Sequence, residues 1–284
     1  MSTHARTVEP NRPTAALAVA RLGVVSFLNT RPIISGLESR DDLELIQAVP
    51  SLLLDHLLED AVDVALCSSV DYLRSPVPLK ALRVAPLTSD GATLTVRVFS
   101  AVPLTETTRV HCDTDSHTSV ALLRVLMRDH WSVDPDIVEF DARSRDGHWP
   151  ETVMLIGDKV VQDAPSEQTH PHHVDLGEAW KQMTGLPFVF AIWMARADAC
   201  TDMLGTVSRT LADQLEANLQ DLDRLVEREA GPRGWSVEMA MSYLNGLIRY
   251  RLGPRELKGL ETFLDRATSH GLAVHARPLD FFEG

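Results

Sequence analysis

The 284-residue chain has only three cysteines, and they stand far apart at Cys67, Cys112 and Cys200. That number and spacing give neither a paired disulfide framework nor a Cys-x-x-Cys metal site, and a reducing cytoplasm is the expected compartment. No stretch approaches the ~20 apolar residues of a membrane span. The apolar run Ala15–Ala20 falls short of a signal-peptide core of roughly 7–15 residues, so secretion is not expected. Basic residues are also scarce: 27 Lys and Arg stand against 40 Asp and Glu, a formal charge of −13. No Lys/Arg run offers the concentrated positive surface that a phosphate backbone needs, which argues against a nucleic-acid partner. The G-x-S-x-G elbow, the P-loop and the G-x-G-x-x-G fingerprint are all missing. Internal repeats and low-complexity segments are absent too.

What is present is a core: 44% of the residues are hydrophobic, enough for two lobes in a chain of this length. Residues 1–18 are polar and proline-containing and read as a disordered extension. Strand-like runs at Val19–Phe27, Leu43–Val49, Val62–Cys67, Leu82–Leu87 and Leu94–Ser100 alternate with helical runs at Arg31–Leu37, Ser51–Asp60 and Ser69–Ser75. That alternation predicts an α/β fold with a parallel, helix-covered sheet. A second block, with strands at Val110–Cys112, Ile137–Phe140 and Val153–Ile156 and helices at Ser119–Trp131 and Glu178–Gly185, repeats the logic. The last ninety residues show apolar spacings of three and four over Thr201–Ala230, Ser236–Arg251 and Pro254–Ser269, a helical tail with Gly271 as its stop.

Three junctions carry the functional signal. Ser26-Phe-Leu-Asn29-Thr30-Arg-Pro32, Cys67-Ser68-Ser69 and Ser116-His-Thr118-Ser119 each take the chain from a strand or turn into a helix with small hydroxyl or amide side chains at the corner. A helix start leaves backbone N–H groups unpaired and carries partial positive charge, so such corners hold carboxylates without a lysine. Each residue also has a plainer reading. Asn29, Ser68, Ser69, Thr118 and Ser119 are all ordinary helix-cap types, and Asp158 after Gly157 is more often a cap than a base. His170-Pro-His172-His173 invites a metal, but no acidic or cysteine ligand accompanies it. His111, His117 and His130 fit no triad or metal spacing.

With a fourth segment, Gly185-Leu-Pro-Phe-Val-Phe-Ala-Ile-Trp193, these motifs closely resemble, in order and spacing, the MqnA family of the futalosine route to menaquinone. Its members carry a Ser-Tyr/Phe-Leu-Asn-Thr-x-Pro start, a VDVAL-x-SS segment and a TSVALLR helix. The resemblance implies a two-lobe fold of the type II periplasmic-binding-protein kind with a helical C-terminal region. Its lobes would be 19–97 plus 191–284 and 98–190, with crossings near Val96–Ser100 and Phe188–Trp193 and a ligand cleft between them.

The implied activity is a hydro-lyase reaction, the dehydration of chorismate to 3-[(1-carboxyvinyl)oxy]benzoate, with no cofactor, no metal, no membrane and no nucleic-acid partner. Asn29 is the implied catalytic-centre residue and Asp158 the protein-based candidate for the base. Ser26, Thr30, Ser68, Ser69, Thr95, Thr118, Ser119, Gly157 and Trp193 are the implied substrate-binding residues, Thr95 standing where the family commonly has Ser. None of the matched motifs aims a His, Glu or Lys at the cleft, so the enolpyruvyl carboxylate of the substrate is a further candidate for the base. Other readings are a non-catalytic carboxylate-binding protein, the MqnD-like sister enzyme that releases 1,4-dihydroxy-6-naphthoate, and a ligand-sensing regulatory domain.

Overall fold

The computed structural model describes residues 19–144 and 147–283; the expected extension 1–18 lies outside them. The chain opens with β1 (Ala20–Val24), α1 (Arg31–Ile34), β2 (Leu43–Gln47), α2 (Leu53–Leu58), β3 (Val64–Ser68), α3 (Asp71–Arg74) and β4 (Leu79–Ser89). It then crosses to β5 (Val96–Ser100), β6 (Arg109–Asp113), α4 (His117–Asp129), β7 (Asp136–Phe140), β8 (Thr152–Ile156), α5 (Lys159–Gln162), β9 (His172–Asp175) and α6 (Leu176–Thr184). It returns through β10 (Phe188–Arg196), α7 (Thr201–Gln220), α8 (Leu222–Glu229), α9 (Val237–Ser242), β11 (Ile248–Arg249) and α10 (Pro254–Ser269).

Two sheets result, one ordered β11-β4-β10-β3-β1-β2 and the other β7-β6-β8-β5-β9. Both are mixed rather than parallel. Strands β1, β2 and β3 pair in parallel, as do β6, β7 and β8. The strands that enter from the opposite lobe, β5 and β10, run antiparallel to their neighbours. Their arrival direction is fixed by the crossing, not by a helical return on the same sheet. Val96–Ser100 lies wholly in the second sheet and Phe188–Arg196 in the first, so the chain passes between sheets just ahead of each, at 90–95 and 185–187.

Burial follows the sequence pattern. All five residues of β3 are buried, which is why Val-Ala-Leu-Cys-Ser reads as a continuous apolar run without alternation. The second crossing is fastened by aromatics from three elements. Trp180 of α6, Phe188 of β10 and Phe263 of α10 pack with ring centroids 4.8–6.1 Å apart, in the edge-to-face arrangements that aromatic quadrupoles favour. Trp180 Nε1 donates to the Pro187 carbonyl at 3.1 Å. On α10, Gly259 lies so close to that same carbonyl that a Cβ would sit 2.1 Å from the oxygen, so the helix can dock on the crossing only through glycine.

Several predicted helices are shorter than their patterns. The run through Ser51 begins as a 3₁₀ turn, Pro50–Leu52, and Ser51 caps nothing with its side chain; its amide instead donates to the Asp115 carbonyl of the other lobe at 3.0 Å. The tail stretch 236–251 is not one helix. It is α9, a π-helical turn over Tyr243–Leu247, and the short strand β11, which pairs with β4 at the edge of the first sheet.

Candidate active site

Between the sheets lies a narrow cavity of about 60 Å³. The first lobe lines it with Asn29, Ser68, Phe190 and Ala191, and the second with Val96, Ser116, Ser119, Ile156 and Gly157; Thr93 and Thr95 come from the crossing. Among its described lining residues there is no acid, lysine, arginine or histidine. Two of the lining polar atoms, Asn29 Oδ1 and Ser68 Oγ, are buried and without a hydrogen-bond partner. Buried polar atoms are rarely left unpaired, and leaving one so costs about 1–3 kcal/mol. Their convergence on one cavity marks it as built to meet polar groups of a ligand.

Local structure explains how each is presented. Phe27 is extended, and the chain then turns through Leu28–Thr30 into α1 with Pro32 in its first turn. Neither turn is capped by the side chain of its first residue, Phe27 or Thr30, and Asn29 between them lines the cavity. Ser68 ends β3, where the pleat turns its hydroxyl inward. Ser116 caps α4 by accepting from the Ser119 amide at 3.3 Å, and the Ser119 hydroxyl also donates to it at 3.1 Å.

Other expected residues sit elsewhere. Ser69 and Thr118 meet each other across the lobes instead of facing the cavity. Their hydroxyls are 3.3 Å apart, Thr118 Oγ1 accepts from the Val70 amide at 3.1 Å, and Ser69 Oγ donates to the Val189 carbonyl at 2.7 Å. Beside them, His117 Nδ1 lies 2.7 Å from Asp71 Oδ1; burial raises the pKa of this Asp, opposed by His117. The Thr30 hydroxyl is spent on the carbonyls of Val25 and Phe27. Ser26 is exposed, and only its carbonyl is engaged, by Arg233. Trp193 is fully buried in the core of the first lobe and does not line the cavity, although Ala191, on the same face of β10 two residues back, does.

Asp158 caps nothing with its side chain, although it stands at the start of α5. Its Oδ1 reaches across to accept from the Trp235 indole at 3.0 Å and the Leu28 amide at 3.3 Å. Burial raises its pKa, and those two donors partly oppose the shift. The carboxylate thus grips the loop that carries Asn29, while its neighbour Gly157 lines the cavity.

Tyr243, Tyr250 and Trp235 belong to none of the motifs at the strand-to-helix junctions. The Tyr243 hydroxyl is 2.8 Å from Thr95 Oγ1. Tyr250 donates to the Asn29 carbonyl at 2.9 Å. A usable signal was the rarity of tyrosine, since the chain has three and two of them fall in one stretch of the tail. In the His-rich segment, His170 Nε2 bonds the Pro150 carbonyl and His172 and His173 lie on β9. No group of three or more metal-ligating side chains gathers among the described residues.

Known proteins place this architecture. A protein of Archaeoglobus fulgidus superposes with a TM-score of 0.74 over 89% of this chain and 97% of that one, at 14% identity. The alkanesulfonate-binding protein of Xanthomonas axonopodis gives 0.65 over 91% and 96%, at 15% identity. These likenesses establish a two-lobe fold of the periplasmic-binding-protein kind. In sequence, a chorismate dehydratase of Thermus thermophilus is 28% identical over 258 residues, spanning 86% of this chain and 93% of that protein. A chorismate dehydratase of Campylobacter jejuni is 23% identical over 247 residues, spanning 87% and 93%. The family model for menaquinone biosynthesis matches residues 20–269, nearly the whole described chain, and the protein belongs to that family.

Proposed function

We propose that the protein is a chorismate dehydratase, a hydro-lyase that converts chorismate to 3-[(1-carboxyvinyl)oxy]benzoate and water. The two curated relatives carry that activity in their names. The observation that carries the reading furthest is the chemistry of the cavity: hydroxyls and one amide, two of their oxygens unpaired, and no ionisable lining side chain.

In this dehydration a proton leaves the ring carbon that bears the enolpyruvyl ether, and hydroxide leaves the neighbouring carbon. The C–H electron pair becomes part of the new aromatic ring. The ring carboxylate, conjugated with the diene, takes up charge as the proton departs, so donors around it that bind more strongly as charge builds lower the barrier. With no lining base, the enolpyruvyl carboxylate of the substrate is the group we assign to receive the proton. Asn29, Ser68, Thr95 and Ser119 then hold the dianion in the geometry that lets its own carboxylate reach. Asp158 supports the Asn29 loop from behind.

A cavity of about 60 Å³ has room for a few waters, whereas ligand pockets usually enclose about 300–1,000 Å³. The described arrangement is therefore a closed one, and admitting a ten-carbon acid requires the lobes to part. The test is to incubate the purified protein with chorismate, without added metal or cofactor, and follow product by ultraviolet absorbance and mass spectrometry. Loss of one water per chorismate is the expected result. Intact chorismate with a raised melting temperature would make this a binding protein, and no effect at all would refute the chorismate reading.

A further inference from the structure

The Asp175 carboxylate of the second lobe accepts backbone N–H groups from two segments of chain, its own helix start and the crossing that carries Thr93 and Thr95 to the cavity. We propose that Asp175 is a positioning residue for the dehydration: it clasps the crossing at Thr93 and Leu94 and so sets where the Thr93 and Thr95 hydroxyls stand against the substrate. This role rests on the dehydratase reading above and adds to it the device that holds the crossing side of the cavity in place.

Asp175 closes β9 and stands at the N-cap of α6. Capping needs a single acceptor oxygen, and Oδ1 supplies it, taking the amides of Gly177 at 3.0 Å and Glu178 at 3.2 Å. The second oxygen is not needed there and serves the crossing instead. Oδ2 accepts from the Thr93 amide at 2.9 Å and the Leu94 amide at 2.6 Å, and Oδ1 lies 3.0 Å from the Thr93 amide as well. Such bonds to a charged carboxylate are stronger than those between neutral groups. Leu94 also has a φ of +65°, in the left-handed region that costs an L-residue about 1–2 kcal/mol. Strain of that kind persists where the surroundings hold the residue firmly, and the Leu94 amide has the shortest of the Asp175 bonds.

The clasp passes directly to the cavity. The Thr95 amide donates to Thr93 Oγ1 at 3.2 Å and the Thr95 hydroxyl to the Thr93 carbonyl at 3.4 Å, which joins the two threonines in one turn. The Thr95 carbonyl then accepts from the Gly157 amide at 2.8 Å. Thr93, Thr95 and Gly157 all line the cavity, whereas Asp175 does not, so its effect on a substrate runs through them. On the α6 side the fit is equally close. A Cβ on Gly177 would lie 2.3 Å from Thr93 Cγ2 and 2.5 Å from the Gly91 carbonyl oxygen, an approach open only to glycine. Because Asp175 is itself paired with Arg97 in the second sheet, the clasp ties both threonines to the second lobe.

Asp175→Ser separates the two duties of the side chain. Serine is a preferred helix cap and keeps the bond to α6, but it is too short to reach the crossing. Steady-state kinetics with chorismate should show kcat lowered by about tenfold or more with KM moved by less than about threefold. In the double variant Asp175→Ser/Thr95→Val the loss should fall well short of the product of the two single losses, because both changes act on the same hydroxyl. Wild-type kcat in Asp175→Ser would make the residue a helix cap and nothing more, and losses that multiply fully would equally overturn the proposal.

A second readout depends on neither turnover nor the folding of a variant. In the wild-type protein the backbone amide of Leu94 should exchange slowly with solvent, as a bonded amide does. In Asp175→Ser it should exchange fast while the amides of β5 and α6 stay protected. A Leu94 amide that exchanges in the wild type as fast as in an unfolded chain would overturn the clasp. Wild-type protein that leaves chorismate intact would instead overturn the dehydratase reading itself, and the wild-type rate alone distinguishes that failure from the others.

Discussion

Thr118, on the first turn of α4 in the second lobe, accepts a hydrogen bond at 3.1 Å from the amide of Val70 in the first. Its hydroxyl is fully buried, and no helical bond is available to the Val70 amide ahead of α3. Replacing Thr118 by Val keeps the shape and removes the acceptor, stranding a buried N–H at a cost of about 1–3 kcal/mol. Because the bond exists only when the lobes are together, part of that loss falls on closure. The expected result is a KM for chorismate raised severalfold with a smaller fall in kcat, alongside a lower urea midpoint. Unchanged kinetics and stability would remove Thr118 from the closing contact.

Asn29→Ala tests the reacting centre itself. If Asn29 Oδ1 orients the substrate hydroxyl in the transition state, its loss should lower kcat by about 10²-fold or more, while chorismate still binds through the remaining hydroxyls. Calorimetric affinity near wild type with turnover collapsed is the expected pattern. Turnover near wild type would leave Asn29 as nothing beyond a cavity wall.

Much of this site was legible from residue types at strand-to-helix junctions. Asn29, Ser68, Ser119 and Gly157 fall on the cavity because a strand end and the following helix start fix where a small side chain points, and that geometry is local. What was not legible is what those residues touch. Tyr243 and Thr95 are 148 positions apart, and Trp235 and Asp158 are 77 apart. Periodicity says that Tyr243 faces an interior but not which one. The same limit explains Ser69 and Thr118: both stand at helix starts, yet they pair with each other because closure brings two such corners together. Trp193 illustrates the reverse case, since the period of two along β10 puts it on the face of Ala191, which lines the cavity, but does not say how far along the strand the cavity reaches.

Asp158 gives a pH signature with a definite sign. Burial raises its native pKa above the ordinary carboxylate value. A raised acid contributes most to stability when protonated, below its unfolded value near ~3.9, and that contribution is lost as pH rises through the native value. Asp158→Asn keeps the Oδ1 acceptor for Trp235 and Leu28 and cannot ionise. The variant should therefore gain melting temperature relative to wild type as pH rises from about 4 toward neutrality, and the difference should level off once the wild-type group is charged. Thermal scans across that range decide it, and a difference that shrinks with rising pH would contradict the assignment. If the substrate supplies the base, Asp158→Asn should also retain measurable dehydration.

Gly157 carries two constraints at once. Its φ is +67°, a left-handed conformation that costs an L-residue about 1–2 kcal/mol. A Cβ there would also lie 2.9–3.0 Å from three carbons of the Phe27 ring, which lines the cavity. Gly157→Ala should therefore lower stability and displace Phe27, cutting kcat/KM. Truncating the obstacle separates the two effects. In Gly157→Ala/Phe27→Leu the clash is relieved while the backbone strain remains, so kcat/KM should recover relative to Gly157→Ala without a matching recovery in melting temperature. Recovery of both together would assign the whole effect to the clash, and recovery of neither would mean that Gly157 acts through its backbone alone.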